Sequence, residues 1–439
     1  MYKVLHIMPH MGPGVGKAVS ALSITAAKTD NKYQHNVLLL ENPLNLEYIT
    51  ICQDNGVDVF WPHDKRELIK IISDADIVQL EWWHHPLALG FLRDLSQIPI
   101  RLTVWSHISG CNYPVIPAGF IDLPEHFFFT TAYSYENPFW NEVERQSIES
   151  KSTVACGTGG YDNVSEVVPR SHSGFNIGFI GTLDFRKLNP EFVDFCAEVK
   201  IPDAKFILVG NPENKQNIIK QAHEKDLENK LEFTGFTNDV KSEFERFDIF
   251  GYLLNPDHYG STDNALLEAM GAGMPIIVLN QCGEKHVIRN METGIIINSK
   301  KEYGEAVKYL YDNPEVRVRL GENAKKSALN EFSPGSTMEK LHSQYNKVIS
   351  RPKTCYQFEE IFGIEPSQWF VSGLGMERHI FEEFTGNRIK NKTDIRDQVH
   401  NSGDILKGST KSSIPHFYRY FPFDTNLKYW DQIINEGDD

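Results

Sequence analysis

His258-Tyr259-Gly260-Ser261-Thr262-Asp263-Asn264-Ala265-Leu266-Leu267-Glu268-Ala269-Met270-Gly271-Ala272-Gly273-Met274-Pro275 is the stretch that decides how this chain is read. A polar loop over 260–264 leads into a short helix that ends near the glycines at 271 and 273, and a strand starts at Pro275. Loop, helix and strand in that order belong to an α/β sheet with crossover helices. Glu268 falls about one turn into the helix, among Leu266, Leu267, Ala269 and Met270. A carboxylate on an apolar stripe is costly to bury without a partner, and a pair of sugar hydroxyls is one such partner. The backbone N–H groups of Asp263, Asn264 and Ala265 point out of the helix start, where an anion is favoured. The plainer alternative makes Asp263 an N-cap and Glu268 a surface acid.

Outward from this segment the same grammar repeats. Apolar runs at 175–183, 205–210, 231–236 and 248–254 precede it, and 275–279 and 294–298 follow. Helical patterns at 190–199, 214–225, 239–247, 263–271 and 303–311 fill the gaps. The first half carries its own series, with strands at 3–9, 35–41, 58–62, 76–82, 101–107 and 126–132 and helices near 16–28, 65–73, 87–96 and 137–149. Strand–helix alternation predicts parallel sheets, and twelve strands are too many for one small sheet. The polar stretch 166–173, with Pro169 and two serines, is the expected joint. The chain therefore reads as α/β, with two doubly wound, Rossmann-like domains at 1–170 and 171–332. Their ligands would sit beyond the carboxyl ends of the strands, in a cleft that the two domains face.

Beyond Arg351-Pro352 the alternation stops. The extension 352–439 is rich in aromatics: Tyr356, Phe358, Phe362, Trp369, Phe370, Phe381, Phe384, Phe417, Tyr418, Tyr420, Phe421, Phe423, Tyr429 and Trp430. Such a segment is not a disordered tail. It is expected to be an appended helical module or a belt on the first domain, with a polar, loop-like part at 386–413.

Composition sets the outer limits. A length of 439 residues fits two or three domains at ~100–200 residues each. Lys plus Arg is 44 against 59 Asp plus Glu, for a net charge of −15. A chain so acidic lacks the surplus cations that nucleic-acid binding needs. No apolar run approaches a bilayer span, and the polar start of the chain does not read as a signal peptide. Six cysteines lie far apart without a C-x-x-C pair, as in a reduced cytoplasmic chain with no structural zinc. The expected location is cytoplasmic, with at most peripheral membrane contact.

Three further motifs fall at strand ends. Gly12-Pro13-Gly14-Val15-Gly16-Lys17 follows the first strand and opens a helix, where glycines let backbone N–H groups approach a phosphate. It is neither a Walker A loop nor a dinucleotide fingerprint, because the spacing and the third glycine fail; a tight turn is the competing reading. Phe179-Ile180-Gly181-Thr182-Leu183-Asp184-Phe185-Arg186-Lys187 ends a strand at a glycine and places two cations after it, suited to a diphosphate. His107 closes the strand 101–107 and faces the same way. His84 and His85 are adjacent and lack a chelating acid–His spacing, so no metal site is expected.

Residues 260–275 resemble the retaining, GT-B-fold, nucleotide-sugar-dependent glycosyltransferases of the glycogen-synthase-like group (glycosyl transferases group 1, family four). Leu266-Leu267-Glu268-Ala269-Met270, the small residues after it and Gly273-Met274-Pro275 match that family's acid, Ala-Met and Gly-x-Pro pattern. The loop at 14–16, Gly181 to Lys187, Leu208-Val209-Gly210-Asn211, Phe233-Thr234-Gly235-Phe236 and Thr293-Gly294 follow in the family's order, over roughly residues 3–349. The resemblance implies transfer of a sugar from a nucleoside diphosphate to an acceptor hydroxyl with retention, without a metal or other cofactor. It implies that Glu268 binds the donor ribose and that Lys187, with Arg186 as second candidate, holds the diphosphate. It assigns donor contacts to Gly14, Gly16, Gly181, Thr182, Gly210, Phe236, Asp263, Asn264 and Ala265. His107 is placed near the reacting centre, and a helix over 333–351 crosses back to the first domain. The acceptor class stays open among glycan, lipid-linked, protein and small-molecule acceptors. Two positions depart from the pattern: Gly260 replaces the first acid of the family pair, and Thr182 replaces an arginine. They keep open two alternatives, a GT-B epimerase or phosphorylase and a catalytically weakened nucleotide-sugar or glycan-binding subunit.

Overall fold

The computed structural model describes residues 1–62, 64–164, 166–258, 260–375, 378, 381, 406–408 and 412–435. The chain divides into two compact units: Met1–Ala155 with Thr337–Asp439, and Cys156–Ser336. Each is built on one sheet, and every strand pairing within both sheets is parallel.

The first sheet contains β1 (Tyr2–Met8), β2 (Tyr33–Leu39), β3 (Val59–Phe60), β4 (Ile77–Trp82), β5 (Leu102–Ser106), β6 (His126–Phe129) and β7 (Ser152–Val154). Their order is β3-β2-β1-β4-β5-β6-β7, so the winding reverses between β1 and β4. The second sheet contains β8 (Phe175–Ile180), β9 (Ala204–Val209), β10 (Leu231–Gly235), β11 (Ile249–Tyr252), β12 (Ile276–Leu279) and β13 (Ile295–Ile297). Its order is β10-β9-β8-β11-β12-β13, with the reversal between β8 and β11. β4 and β8 are buried along their whole length. Helices on both faces of a parallel sheet demand such uninterrupted burial, which is why these strands read as continuous apolar runs rather than alternating ones.

All twelve expected strands are present. β7 was not expected; it is three half-buried residues directly after the helix Glu142–Lys151 and has no apolar run to mark it. The helices Glu47–Asp54 and Pro314–Glu331 also went unread. The joint falls after Ala155 rather than within 166–173. The reason is packing: Cys156, Tyr161 and Val164 already belong to the second unit's core, with Phe175 and Met270.

The helix Pro334–Val348 carries the chain back, and from Thr337 onward it belongs to the first unit. Its Leu341, Tyr345 and Val348 pack with Val4, Met8 and Trp105. The extension is a belt and not a separate domain. Its Phe362, Trp369, Phe370, Phe417 and Trp430 share one core with Trp82, Phe120 and Phe127. Trp82 lies 5.6 Å from Phe362 and Phe381 lies 4.9 Å from Trp430, ring centroid to centroid. An antiparallel bridge between Ile100 and Thr354 starts the belt. Tyr259, Phe384 and most of the polar stretch 386–413 lie outside the described residues. Among the described residues, no helix is long and apolar enough to cross a membrane.

Candidate functional site

In open parallel sheets the crevice beyond the strand carboxyl ends opens where the winding reverses. In the second unit that point lies between β8 and β11. The loop after β8 carries Lys187 and the loop after β11 carries Asp263. Their side chains meet, Lys187 Nζ to Asp263 Oδ1, at 2.9 Å. Both loops are tied down: Lys187 donates its N–H to the Asp184 carbonyl at 2.8 Å, and its own carbonyl accepts from Asn255 N–H at 2.7 Å. Burial works against the Asp263 charge, but the Lys187 ammonium outweighs it and holds the carboxyl below its usual range.

Asp263 caps the helix Asn264–Gly271 by position, though without a side-chain hydrogen bond to it. The first turn of this helix, from Asn264, has N–H groups with no intrahelical acceptor, as at any helix start. Asn264 Oδ1 accepts from Gly159 N–H at 3.3 Å, and Ala265 is half-buried. Glu268 is only 7% exposed, so the surface-acid reading fails. Neighbouring Leu266, Leu267, Ala269 and Met270 are all buried.

Arg186 turns elsewhere. Its Nε donates to Asp184 Oδ2 at 2.6 Å and its Nη2 to Glu213 Oε2 at 3.0 Å, so two carboxylates hold the guanidinium. Gly181 follows β8 and donates its N–H to the Val209 carbonyl at 2.9 Å, with Thr182 half-buried after it. Gly210 follows β9 with φ 141°, and a Cβ there would lie 1.9 Å from the Gly181 carbonyl oxygen. Only glycine lets these two strand ends approach so closely. Phe236, after β10, is 75% exposed.

Sequence reasoning left His258 and Glu284 without a role. His258 is buried; it accepts from Gly260 N–H at Nδ1 (3.1 Å) and faces Glu284 Oε2 with Nε2 (3.5 Å). Burial opposes its protonation, but hydrogen bonds toward Cys282 and Glu284 and the Glu284 and Asp263 charges prevail, raising its pKa to about 10. It stands two residues before Gly260, where the expected first acid is missing. A histidine beside that gap, inside a segment already singled out, was the available signal.

In the first unit, Gly14 is the exposed N-cap of the helix Val15–Thr29. Gly16 is buried, and a Cβ there would sit 2.6 Å from the Met11 carbonyl carbon, so the β1 turn itself requires glycine. His107 follows β5 and donates its backbone N–H to the Trp82 carbonyl at 2.8 Å. Its Nε2 contacts Glu81 Oε2 at 2.6 Å. The other Glu81 oxygen meets His6 Nδ1 at 2.6 Å and accepts from Gln79 Nε2 at 3.0 Å. Burial pushes the Glu81 carboxyl up, yet the hydrogen bonds from His107 and His6 prevail and lower its pKa.

His84 and His85 diverge. His84 is buried at φ 58°, while His85 caps the helix Pro86–Leu95 by accepting from Leu87 N–H at 3.1 Å. With Nδ1 so used, neutral His85 presents Nε2–H to its neighbours His10 and Glu41. In both groupings, His10, Glu41 and His85, and His258, Cys282 and Glu284, one ligand atom of each residue lies within 4.8 Å of the others.

Residues 163–327 match the family described as glycosyl transferases group 1. An uncharacterized glycosyltransferase of Haemophilus influenzae is 29% identical over 129 residues, covering 29% of this chain and 36% of that protein. The capsular polysaccharide biosynthesis glycosyltransferase CapM of Staphylococcus aureus is 24% identical over 183 residues, covering 40% of this chain and 47% of that protein. The chain thus spans less than half the length of these relatives. A crystal structure of Anabaena Alr3699/HepE in complex with UDP superposes with a TM-score of 0.60 at 15% identity, covering 79% of this chain and 100% of that one. That likeness establishes the GT-B fold.

Proposed function

We propose that this chain, a GT-B protein whose residues 163–327 are a glycosyl transferases group 1 domain, is a retaining glycosyltransferase of glycan or polysaccharide biosynthesis. It moves a sugar from a nucleoside diphosphate to an acceptor hydroxyl. The observation that carries the reading is the convergence at the second unit's reversal point. There Lys187 from the β8 loop meets the start of the helix Asn264–Gly271, with Glu268 buried in that helix. A nucleotide fits this set, with its diphosphate on the ammonium and the helix-start N–H groups and its ribose hydroxyls on Glu268. The Anabaena neighbour was crystallised in complex with UDP, which supports a nucleotide ligand.

As the sugar–phosphate bond lengthens, negative charge grows on the diphosphate. Lys187 and the fixed peptide dipoles stabilise that charge without having to reorganise, which supports a role usually left to a divalent metal. In the structure Asp263 holds Lys187, so an arriving diphosphate displaces or shares that counterion. His107, held by Glu81, is the first unit's candidate for a sugar contact. The departing phosphate oxygen takes the acceptor proton, so no protein nucleophile is needed.

The test is a thermal-shift screen of nucleotide sugars, followed by NMR of the product anomer with the stabilising donor. A stabilising donor and a product keeping the donor's anomeric configuration support the reading; an inverted product overturns retention. The missing acid at Gly260 favours one second reading, a nucleotide-sugar-binding subunit, which predicts stabilisation with no turnover on any acceptor.

A further inference from the structure

A column of polar side chains crosses the interior of the first unit. His107 Nε2 meets Glu81 Oε2 at 2.6 Å, and Glu81 Oε1 meets His6 Nδ1 at 2.6 Å. His6 Nε2 meets His35 Nδ1 at 2.7 Å, and His35 Nε2 meets His342 Nε2 at 2.8 Å. His342 Nδ1 then meets Asp30 Oδ2 at 2.7 Å. The His6, His35 and His342 rings stack at 5.0 and 5.1 Å. His6 and Glu81 are fully buried, whereas the side chains of His107 and Asp30 are 8% and 17% exposed. The column thus has two ends near solvent and a sealed middle.

Counting protons gives the consequence. The five contacts need one proton each. Four neutral imidazoles supply four and two ionised carboxylates supply none. The column therefore binds one proton more than neutral rings and charged acids would carry. A buried carboxylate facing a ring lone pair at 2.6 Å would otherwise be a costly, unsatisfied contact.

We propose that His107, Glu81, His6, His35, His342 and Asp30 form a proton wire holding one surplus proton in the core, with Glu81 the positioning residue that keeps His107 in its Nε2–H tautomer. In one polarity His6 is the imidazolium: Nδ1–H donates to Glu81, Nε2–H to His35, His35 Nε2–H to His342, and His342 Nδ1–H to Asp30. Two hops reverse the middle. His6 passes its Nε2 proton to His35 Nδ1, and His35 passes its Nε2 proton to His342 Nε2. His342 becomes the imidazolium, His6 and His35 are neutral, both carboxylates stay ionised, and the total charge is unchanged. Burial drives His35 toward the neutral form and lowers the His342 pKa to about 4, so a charge on either of those rings is the costlier arrangement.

Other groups face the wire, among them the Trp105 ring, 4.8 Å from that of His107, and Gln79 Nε2, 3.4 Å from His6 Nδ1. Tyr345 and Thr103 reach Gln79, which itself bonds Glu81. The Tyr33 ring lies 4.7 Å from that of His342, and Lys32 adds its positive charge there. Moving one charge along this path changes the field at Glu81 and hence at His107. The bearing on sugar transfer rests on the proposed function, but the wire is tested without donor or acceptor.

The experiment is imidazole 15N–1H NMR on the full chain labelled at histidine, at neutral pH, in the wild type, Asp30→Asn and Glu81→Gln. The wild type should show one wire ring protonated at both nitrogens, with hydrogen-bonded protons slow to exchange. Asp30→Asn removes only the outer charge, so it should shift the resonances of His35, His6 and His107 as well as His342. Glu81→Gln should abolish the response of His107 to that substitution. Four neutral rings in the wild type, or an Asp30→Asn effect confined to His342, would overturn the proposal. Should Glu81→Gln fail to fold, those two observations decide alone, and neither depends on whether the chain transfers a sugar.

Discussion

Replacing Lys187 with Met separates what this residue does for the fold from what it does for the reaction. The ammonium lies 2.9 Å from Asp263 Oδ1, with side-chain exposures of 19% and 18%. At an effective dielectric near 20, two opposite unit charges at that distance attract by about 6 kcal/mol, before desolvation of both ends takes back most of it. Removing one partner of a deeply buried pair costs about 3–5 kcal/mol. With a fifth of each side chain still wet, about 2 kcal/mol is the expected loss on this scale, or about 4–8 °C in Tm. The rate should fall further: losing one preorganised charge stabiliser costs about 10²–10³ in turnover. The double variant Lys187→Met, Asp263→Asn leaves no orphaned carboxylate, so it should regain most of the lost stability and none of the lost rate. Urea unfolding and turnover of the identified donor measure the two effects. Turnover within a few-fold of wild type in the single variant, or turnover recovered in the double, would refute the diphosphate role.

Glu268→Ala should weaken UDP binding by about 10–100-fold, the worth of hydrogen bonds to a charged group; isothermal titration checks it, and unchanged affinity removes the ribose contact. The Asp263 carboxyl is held low by Lys187, so its contribution to stability is present above the unfolded value near pH 4 and is lost as pH falls through the folded value. The gap in unfolding free energy between wild type and Lys187→Met should therefore narrow below about pH 4, and a constant gap would contradict it. Gly210→Ala drives a Cβ to 1.9 Å from a backbone oxygen and should cost more than about 3 kcal/mol in urea unfolding. Trp430→Ala, in the core shared by sheet and belt, should cost about 3–5 kcal/mol by the same measurement; a loss under about 1 kcal/mol would mean that the belt is not part of that core.

Strands announced themselves wherever burial on both faces forced long apolar runs, and the segment around Glu268 was legible because a lone acid interrupts the otherwise apolar helix residues Leu266 to Met270. Short elements were not: β7 is held by its neighbour β6, not by its own three residues. The joint was misplaced because a polar stretch looks like a linker even where the residues before it, Tyr161 and Val164, are core. Arg186 and Lys187 are adjacent and alike in charge, and only tertiary structure shows one facing Asp184 and Glu213 while the other reaches Asp263. The histidine column did leave a trace. Gln79 and Glu81 interrupt a buried strand at i and i+2, and His6 interrupts another, so they share a face. The column's junction from His35 to His342, 307 residues further along the chain, left none.

The belt has a consequence for biosynthesis. The first unit takes its core from Trp82 and Phe127 at one end of the chain and from Trp369 and Trp430 at the other, while the second unit is one uninterrupted segment. On a ribosome, where domains ordinarily mature in the order they emerge, the later unit can finish first. The earlier one must wait, its aromatic surface uncovered, until the helix Thr425–Asn435 clears the exit tunnel. Ribosome-bound nascent chains halted before residue 350 should therefore recruit chaperones that the released protein no longer needs.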